Sequence, residues 1–158
     1  MLLDLSGFTD ISASYQAVAE TQYAANILLG LIVYVVVGPI AEELLFRGVI
    51  YNCMKGLFQP VGAVLVASVF FGVYHGNTVQ GVYGFLMSCL IIYAYEYFGD
   101  FRVAVAMHAV INLVSYLLGN TPLAATGFVC WPLCVLFLAG GGACLFLLHK
   151  QKKVLGNF

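Results

Sequence analysis

Glu42, Glu43, Arg47, His75, His108 and Asn112 have the types and spacing to do chemistry together. The first three stand in AEELLFRG, residues 41–48, within some of the most apolar sequence of the chain. Nothing from Thr21 to Ala41 is charged, and after Lys55 the next Asp, Glu, Lys or Arg is Glu96. An ionised group in such surroundings is costly unless it is paired or used, so each is a functional candidate. His75 closes FGVYH, with Phe71 one turn ahead of it; His108 and Asn112 bracket HAVIN. A carboxylate can take a proton from water. An imidazole and an amide can donate hydrogen bonds to a carbonyl oxygen as it becomes an oxyanion. Two histidines, a free carboxylate and an amide meeting in a water-filled pocket form a catalytic set in composition.

Helical geometry sorts these residues. At about 100° per residue, Glu43 and Arg47 share a face, whereas Glu42 and Arg47 are about 140° apart. Arg47 can therefore neutralise Glu43 within its own helix, and Glu42 must find its partner elsewhere. Gly38-Pro39 is expected to kink the span and loosen its backbone hydrogen bonds. His108 and Asn112, four apart, share a face and could clamp one carbonyl oxygen. Structural readings compete with these: a buried Glu43–Arg47 pair, a His108–Asn112 pair that only joins helices, and a His75 that faces water at a helix end. Their joint occurrence in one small chain is hard to explain by packing, because each carries its own desolvation cost.

The elements that must position them are membrane spans. Of the 158 residues, 63% are hydrophobic and 8% charged, against about 25% charged in soluble domains. So apolar a chain of this length cannot hide its side chains from water, and the bilayer is the solvent that fits. The fold class is an all-α polytopic membrane helix bundle with about five transmembrane helices, forming a single domain over 1–158. It divides into a polar lead-in at 1–21, the bundle at 22–149 and a basic tail at 150–158. The spans fall at 22–52, 61–76, 79–98, 103–119 and 127–149, broken at Gly76-Asn77-Thr78 and at Gly119-Asn120-Thr121-Pro122. The segment 61–76 is short for a full crossing, and Thr9–Tyr23 fits an interfacial helix.

Lys55, Arg102, Lys150, Lys152 and Lys153 then fall on one side, and Asp4, Asp10 and Glu20 on the other. The bias predicts an N-terminus outside and a C-terminus in the cytosol. Tyr93, Tyr95, Tyr97 and Phe98 resemble an interfacial belt, with Glu96 among them. The net charge of -1 argues against nucleic acid as a partner. Cys53, Cys89, Cys130, Cys134 and Cys144 mostly lie in apolar runs and are expected to be small buried hydrophobes.

Three motifs then carry a resemblance. EELLFR fits EExxxR, FGVYH fits FxxxH and HAVIN fits HxxxN, in the order found in the CAAX protease and bacteriocin-processing (CPBP/Abi) membrane proteins. The likeness covers about residues 25–120, and three ordered motifs on spans are far more specific than any one. It implies a glutamate-dependent intramembrane endopeptidase, in a bacterial plasma membrane. By that likeness Glu42 is the general base, activating water with help from His75; His108 and Asn112 form the oxyanion site; Glu43, Arg47 and Phe71 support them. The implied partners are the lipid bilayer and a peptide or membrane-protein substrate, of prenylated CAAX type or bacteriocin type. Relatives usually carry further spans before the paired glutamates, which leaves three alternatives: a minimal core, a fragment, or one subunit of an assembly, the last with an oligomer or an additional membrane subunit as partner.

No cofactor is expected. The rival within the enzymes is a zinc hydrolase with Glu42, His75 and His108 as ligands, although HExxH is missing. The rival outside them is a non-catalytic bacteriocin-immunity or scaffold protein.

Overall fold

The computed structural model describes residues 13–24 and 26–120, all of whose regular elements are helical. They are α1 (Ala13–Ala24), α2 (Ile27–Leu57), α3 (Pro60–Tyr74), α4 (Thr78–Phe98) and α5 (Phe101–Gly119). α2, α4 and α5 are each long and apolar enough to cross a membrane, and α3 is a shorter apolar helix. The expected first span at 22–52 thus starts later and runs further, because Asn26 breaks the chain and caps α2 by accepting from Leu28 N–H at 2.9 Å. The predicted span 127–149, the basic tail and Cys130, Cys134 and Cys144 lie outside the described residues.

Short turns reverse the chain between helices. Gly76 takes φ +70 after α3, and Asn77 caps α4 by accepting from Gln80 N–H at 2.9 Å. Gly99 takes φ +64 to end α4, and Asp100 caps α5 through Arg102 N–H at 2.8 Å. Both glycines occupy the left-handed region that side chains avoid. Hydrogen bonds from the Arg102 side chain and backbone hold the Asp100 carboxyl below its ordinary range.

The helices lie in an up-and-down arrangement. Lys55 Nζ meets Glu96 Oε1 at 2.9 Å, which places the C-terminal ends of α2 and α4 together. Glu96, expected only as an interfacial residue, is therefore the partner of Lys55. At the opposite end Gly30 lies against Tyr116, whose hydroxyl fills the space a Cβ would take. α5 packs on the N-terminal half of α2 and on α4, while α3 packs on α4 and on the C-terminal half of α2. Gly72 lets α3 approach α4 closely, since a Cβ there would stand 2.6 Å from the Gly81 carbonyl oxygen.

Polarity is inverted relative to a water-soluble domain. Glu43, Arg47, Ser68, Ser88 and His108 are buried, whereas Leu28 and Val61 are 68% and 72% exposed. Exposed Ile, Leu and Val run along the outside of α2 and α3. Apolar surface of this extent needs a hydrocarbon solvent, and the interior holds the charged pair Glu43–Arg47. The protein is an integral membrane protein.

α2 is not a uniform α-helix. Leu31–Val37 and Leu44–Tyr51 are π-helical and flank the α-helical Gly38–Glu43. Pro39 has no N–H, and in an α-helix its ring would clash with the carbonyl four residues back. The wider π turn relieves that clash, so the loosening expected at Gly38-Pro39 takes the form of a register change. In the second π segment, the Asn52 side chain donates to the carbonyls of Arg47 and Gly48 at 2.9 and 3.2 Å. Glu42 and Glu43 sit between two segments of altered register, a setting frequent at functional sites.

Candidate active site

Glu43 and Arg47 pair as helical spacing requires, with Arg47 Nη1 donating to Glu43 Oε1 at 2.9 Å and both side chains fully buried. Arg47 Nη2 reaches the Ser88 carbonyl at 3.3 Å and its hydroxyl at 3.2 Å, and the guanidinium lies 4.9 Å from the Phe71 ring centroid. α4 thus supplies a contact that no motif announced. Its signal is a hydroxyl within an apolar span, at Ser88 in GFLMSCLII.

His108 comes to the same carboxylate. Its Nδ1 lies 2.7 Å from Glu43 Oε1. An ionised carboxylate only accepts, so Nδ1 carries the hydrogen and Nε2 of the neutral ring keeps its lone pair. That Nε2 lies 3.8 Å from Glu42 Oε2, beyond direct hydrogen-bonding distance and at a separation where a bridging water is the question to ask. Glu42 Oε2 is itself buried with no hydrogen-bond partner, and the Glu42 side chain is 23% exposed. The two adjacent glutamates therefore differ as their helical angles imply. Glu43 is enclosed and holds Arg47 and His108; Glu42 is partly open and faces the other side of the same imidazole.

Phe71 sits among these groups. Besides Arg47 it contacts the rings of His75 (centroids 4.9 Å apart), His108 (5.7 Å) and Phe46 (4.8 Å). His75, half-buried at the end of α3, donates from Nδ1 to the Phe71 carbonyl at 2.8 Å, which leaves Nε2 as its acceptor. Asn112 donates from Nδ2 to the Tyr34 carbonyl at 2.9 Å. The expected joint clamp of His108 and Asn112 is thus changed in detail. One of the two Asn112 amide hydrogens is taken by Tyr34, and the His108 Nδ1–H by Glu43.

A cavity of about 40 Å³ joins His75, His108 and Asn112 to an apolar wall that includes Met87, Ile91 and Ile111. A water needs about 10–15 Å³ by this measure, so the space suffices for water beside the polar groups. Glu42 reaches this region across His108 rather than as a wall of the cavity. Among the described residues, no group of three or more His, Cys, Asp or Glu side chains could hold a metal ion. Of the zinc set weighed from sequence, Glu42 and His108 face each other, and His75 is hydrogen-bonded through Nδ1 to the backbone.

The sequence pattern described as type II CAAX prenyl endopeptidase Rce1-like matches residues 24–114. The chain belongs to this Rce1-like family. The matched segment contains Glu42, His75, His108 and Asn112 and the residues that hold them. Comparison with curated proteins and with solved structures returned no match. Membership in the Rce1-like family, together with the buried polar network between apolar helices, supports an intramembrane endopeptidase.

Proposed function

We propose that this protein cleaves a membrane-associated peptide of the prenylated CAAX type, using a water activated by Glu42. The observation that carries the proposal is the unpartnered Oε2 of Glu42, 3.8 Å from Nε2 of His108, which itself lines a cavity large enough for water. Glu42 takes a proton from the water as its oxygen adds to the scissile carbonyl. Of the hydrogen-bond donors around the cavity, the second Asn112 N–H remains available to the developing oxyanion. His108 Nε2, an acceptor in the neutral ring, faces Glu42 across 3.8 Å and helps to orient the water between them. Collapse of the tetrahedral intermediate breaks the C–N bond, and the proton held by Glu42 passes to the leaving amine. His75, with Nδ1–H on the Phe71 carbonyl, presents Nε2 as an acceptor that orients the water. Glu43 and Arg47 hold His108 in its tautomer. Family membership supports the prenylated CAAX peptide as substrate class. The charge bias favours a cytosolic position for the end of α2 that bears Lys55.

The test uses the purified chain in proteoliposomes with a fluorogenic farnesylated CAAX peptide and its unprenylated counterpart. Glu42→Gln is nearly isosteric but cannot take the water's proton, so turnover should fall by about 100-fold or more with melting temperature unchanged. Cleavage by Glu42→Gln at the wild-type rate would reject Glu42 as the base. Equal cleavage of both peptides would reject the prenylated substrate class.

A further inference from the structure

Tyr34 has a carbonyl that its own helix cannot satisfy. In an α-helix it would accept from Gly38 N–H, but in the π turn Gly38 N–H bonds the carbonyl of Val33, five residues back. The corresponding π donor for Tyr34 is residue 39, and Pro39 has no N–H. The register change and the proline together therefore withhold both helical donors from this one oxygen. A backbone carbonyl away from water needs a partner. The partner here is Asn112, whose Nδ2 lies 2.9 Å away on α5, 78 residues along the chain.

Packing keeps the two in register. Tyr116, one turn beyond Asn112 and fully buried, stacks on the Tyr34 ring with centroids 6.0 Å apart and seats its hydroxyl against Gly30. Because a carbonyl only accepts, the bond also fixes which way round the Asn112 amide lies. Nitrogen points to Tyr34, with one N–H taken and the other free for the cavity that Asn112 lines.

We propose that Pro39 is a positioning residue: by removing the N–H that would satisfy Tyr34, it makes that carbonyl the anchor that orients the Asn112 amide toward the cavity. Its importance to turnover rests on the role of Asn112 proposed above; the anchor itself can be tested without substrate. Pro39→Ala restores an N–H at position 39 and favours the helix, so Tyr34 gains a local donor and Asn112 is released.

The experiment is a double-mutant cycle in detergent, Pro39→Ala against Asn112→Leu, read by melting temperature and by the NMR resonances of the Asn112 side-chain amide. In the wild type, one of the two Asn112 amide protons should be shifted downfield and protected from exchange. In the wild-type background Asn112→Leu strands the Tyr34 carbonyl and should lower the melting temperature by about 2–4 °C. In the Pro39→Ala background the same change should lower it by less than half as much. Pro39→Ala alone should move the Asn112 resonances and reduce kcat on the farnesylated peptide by about 10–100-fold, with KM unchanged.

Equal losses from Asn112→Leu in both backgrounds, or Asn112 resonances indifferent to Pro39→Ala, would overturn the anchor. Coupling and a resonance shift with kcat unaltered would overturn the positioning role. If Pro39→Ala does not fold, two equivalent and exchanging amide protons in the wild type would overturn the proposal, and one protected proton would sustain it. Absence of cleavage by the wild type counts against the endopeptidase reading instead, and the cycle and the resonances then decide the anchor.

Discussion

Glu43→Gln removes one charge from a buried site where that carboxylate serves two donors. Glu43 Oε1 accepts from Arg47 Nη1 at 2.9 Å and from His108 Nδ1 at 2.7 Å. The side chains of Glu43 and Arg47 have no exposed surface. Once the carboxylate is an amide, Arg47 keeps Ser88 and the Phe71 face, which are neutral partners for an intact cation. Breaking a buried pair in this way costs about 3–5 kcal/mol. In a chain of 158 residues, each kcal/mol is about 2–4 °C in Tm, so the expected fall is roughly 6–20 °C. Glu43→Gln with Arg47→Met leaves no stranded charge and should recover most of that loss.

Activity should not return with it. His108 would still have only a neutral amide oxygen to accept from Nδ1, a bond about half as strong as the charge-assisted one. Its tautomer would no longer be enforced. The assay is Tm in detergent beside cleavage of the farnesylated peptide in proteoliposomes, for both single variants and the double. A double variant that regains both stability and wild-type turnover would refute the role of Glu43 in holding His108. A single Glu43→Gln variant that melts with the wild type would refute the buried pair.

Gly72→Ala and Gly81→Ala should differ although both face the α3–α4 contact. A Cβ on Gly72 would stand 2.6 Å from the Gly81 carbonyl oxygen, whereas one on Gly81 would stand 3.4 Å from that of Gly72. The first should destabilise by about 1–3 kcal/mol through overpacking and the second much less, so equal Tm losses would contradict the approach. Lys55→Met breaks a pair whose side chains are 40% and 46% exposed, and should cost at most about 1 kcal/mol; a larger loss in denaturant melts would mark Lys55 as more than an interfacial charge. For orientation, impermeant thiol reagents applied to single-cysteine variants in right-side-out vesicles should modify Cys130 in preference to Cys53. The reverse order would invert the proposed topology.

Much of the site is legible in local spacing. Glu43 and Arg47 lie four apart on one helix, so their pairing follows from helical geometry, and so does the separation of Glu42 from Arg47. The apolar runs between charges and the Gly-Asn turns determine the membrane class and the positions of the described spans within a few residues. Contacts between distant segments are another matter. Ser88 reaches Arg47 across 41 residues, His108 reaches Glu43 across 65, and Asn112 reaches Tyr34 across 78. HAVIN announces that His108 and Asn112 share a face, but not that a carboxylate on one side and a carbonyl on the other will each take one of their hydrogens.

The π register of α2 is hidden for a different reason. It is a change in which backbone N–H meets which carbonyl, and side-chain periodicity over so few residues carries little trace of it. Pro39 marks where an α-helical bond must fail, and to that extent the sequence determines the weak point. Which group then meets the freed Tyr34 oxygen depends on how closely α5 can approach. That approach is set by the absence of a side chain at Gly30 and the bulk of Tyr116 opposite it, a complementarity of shapes that exists only once the helices have packed.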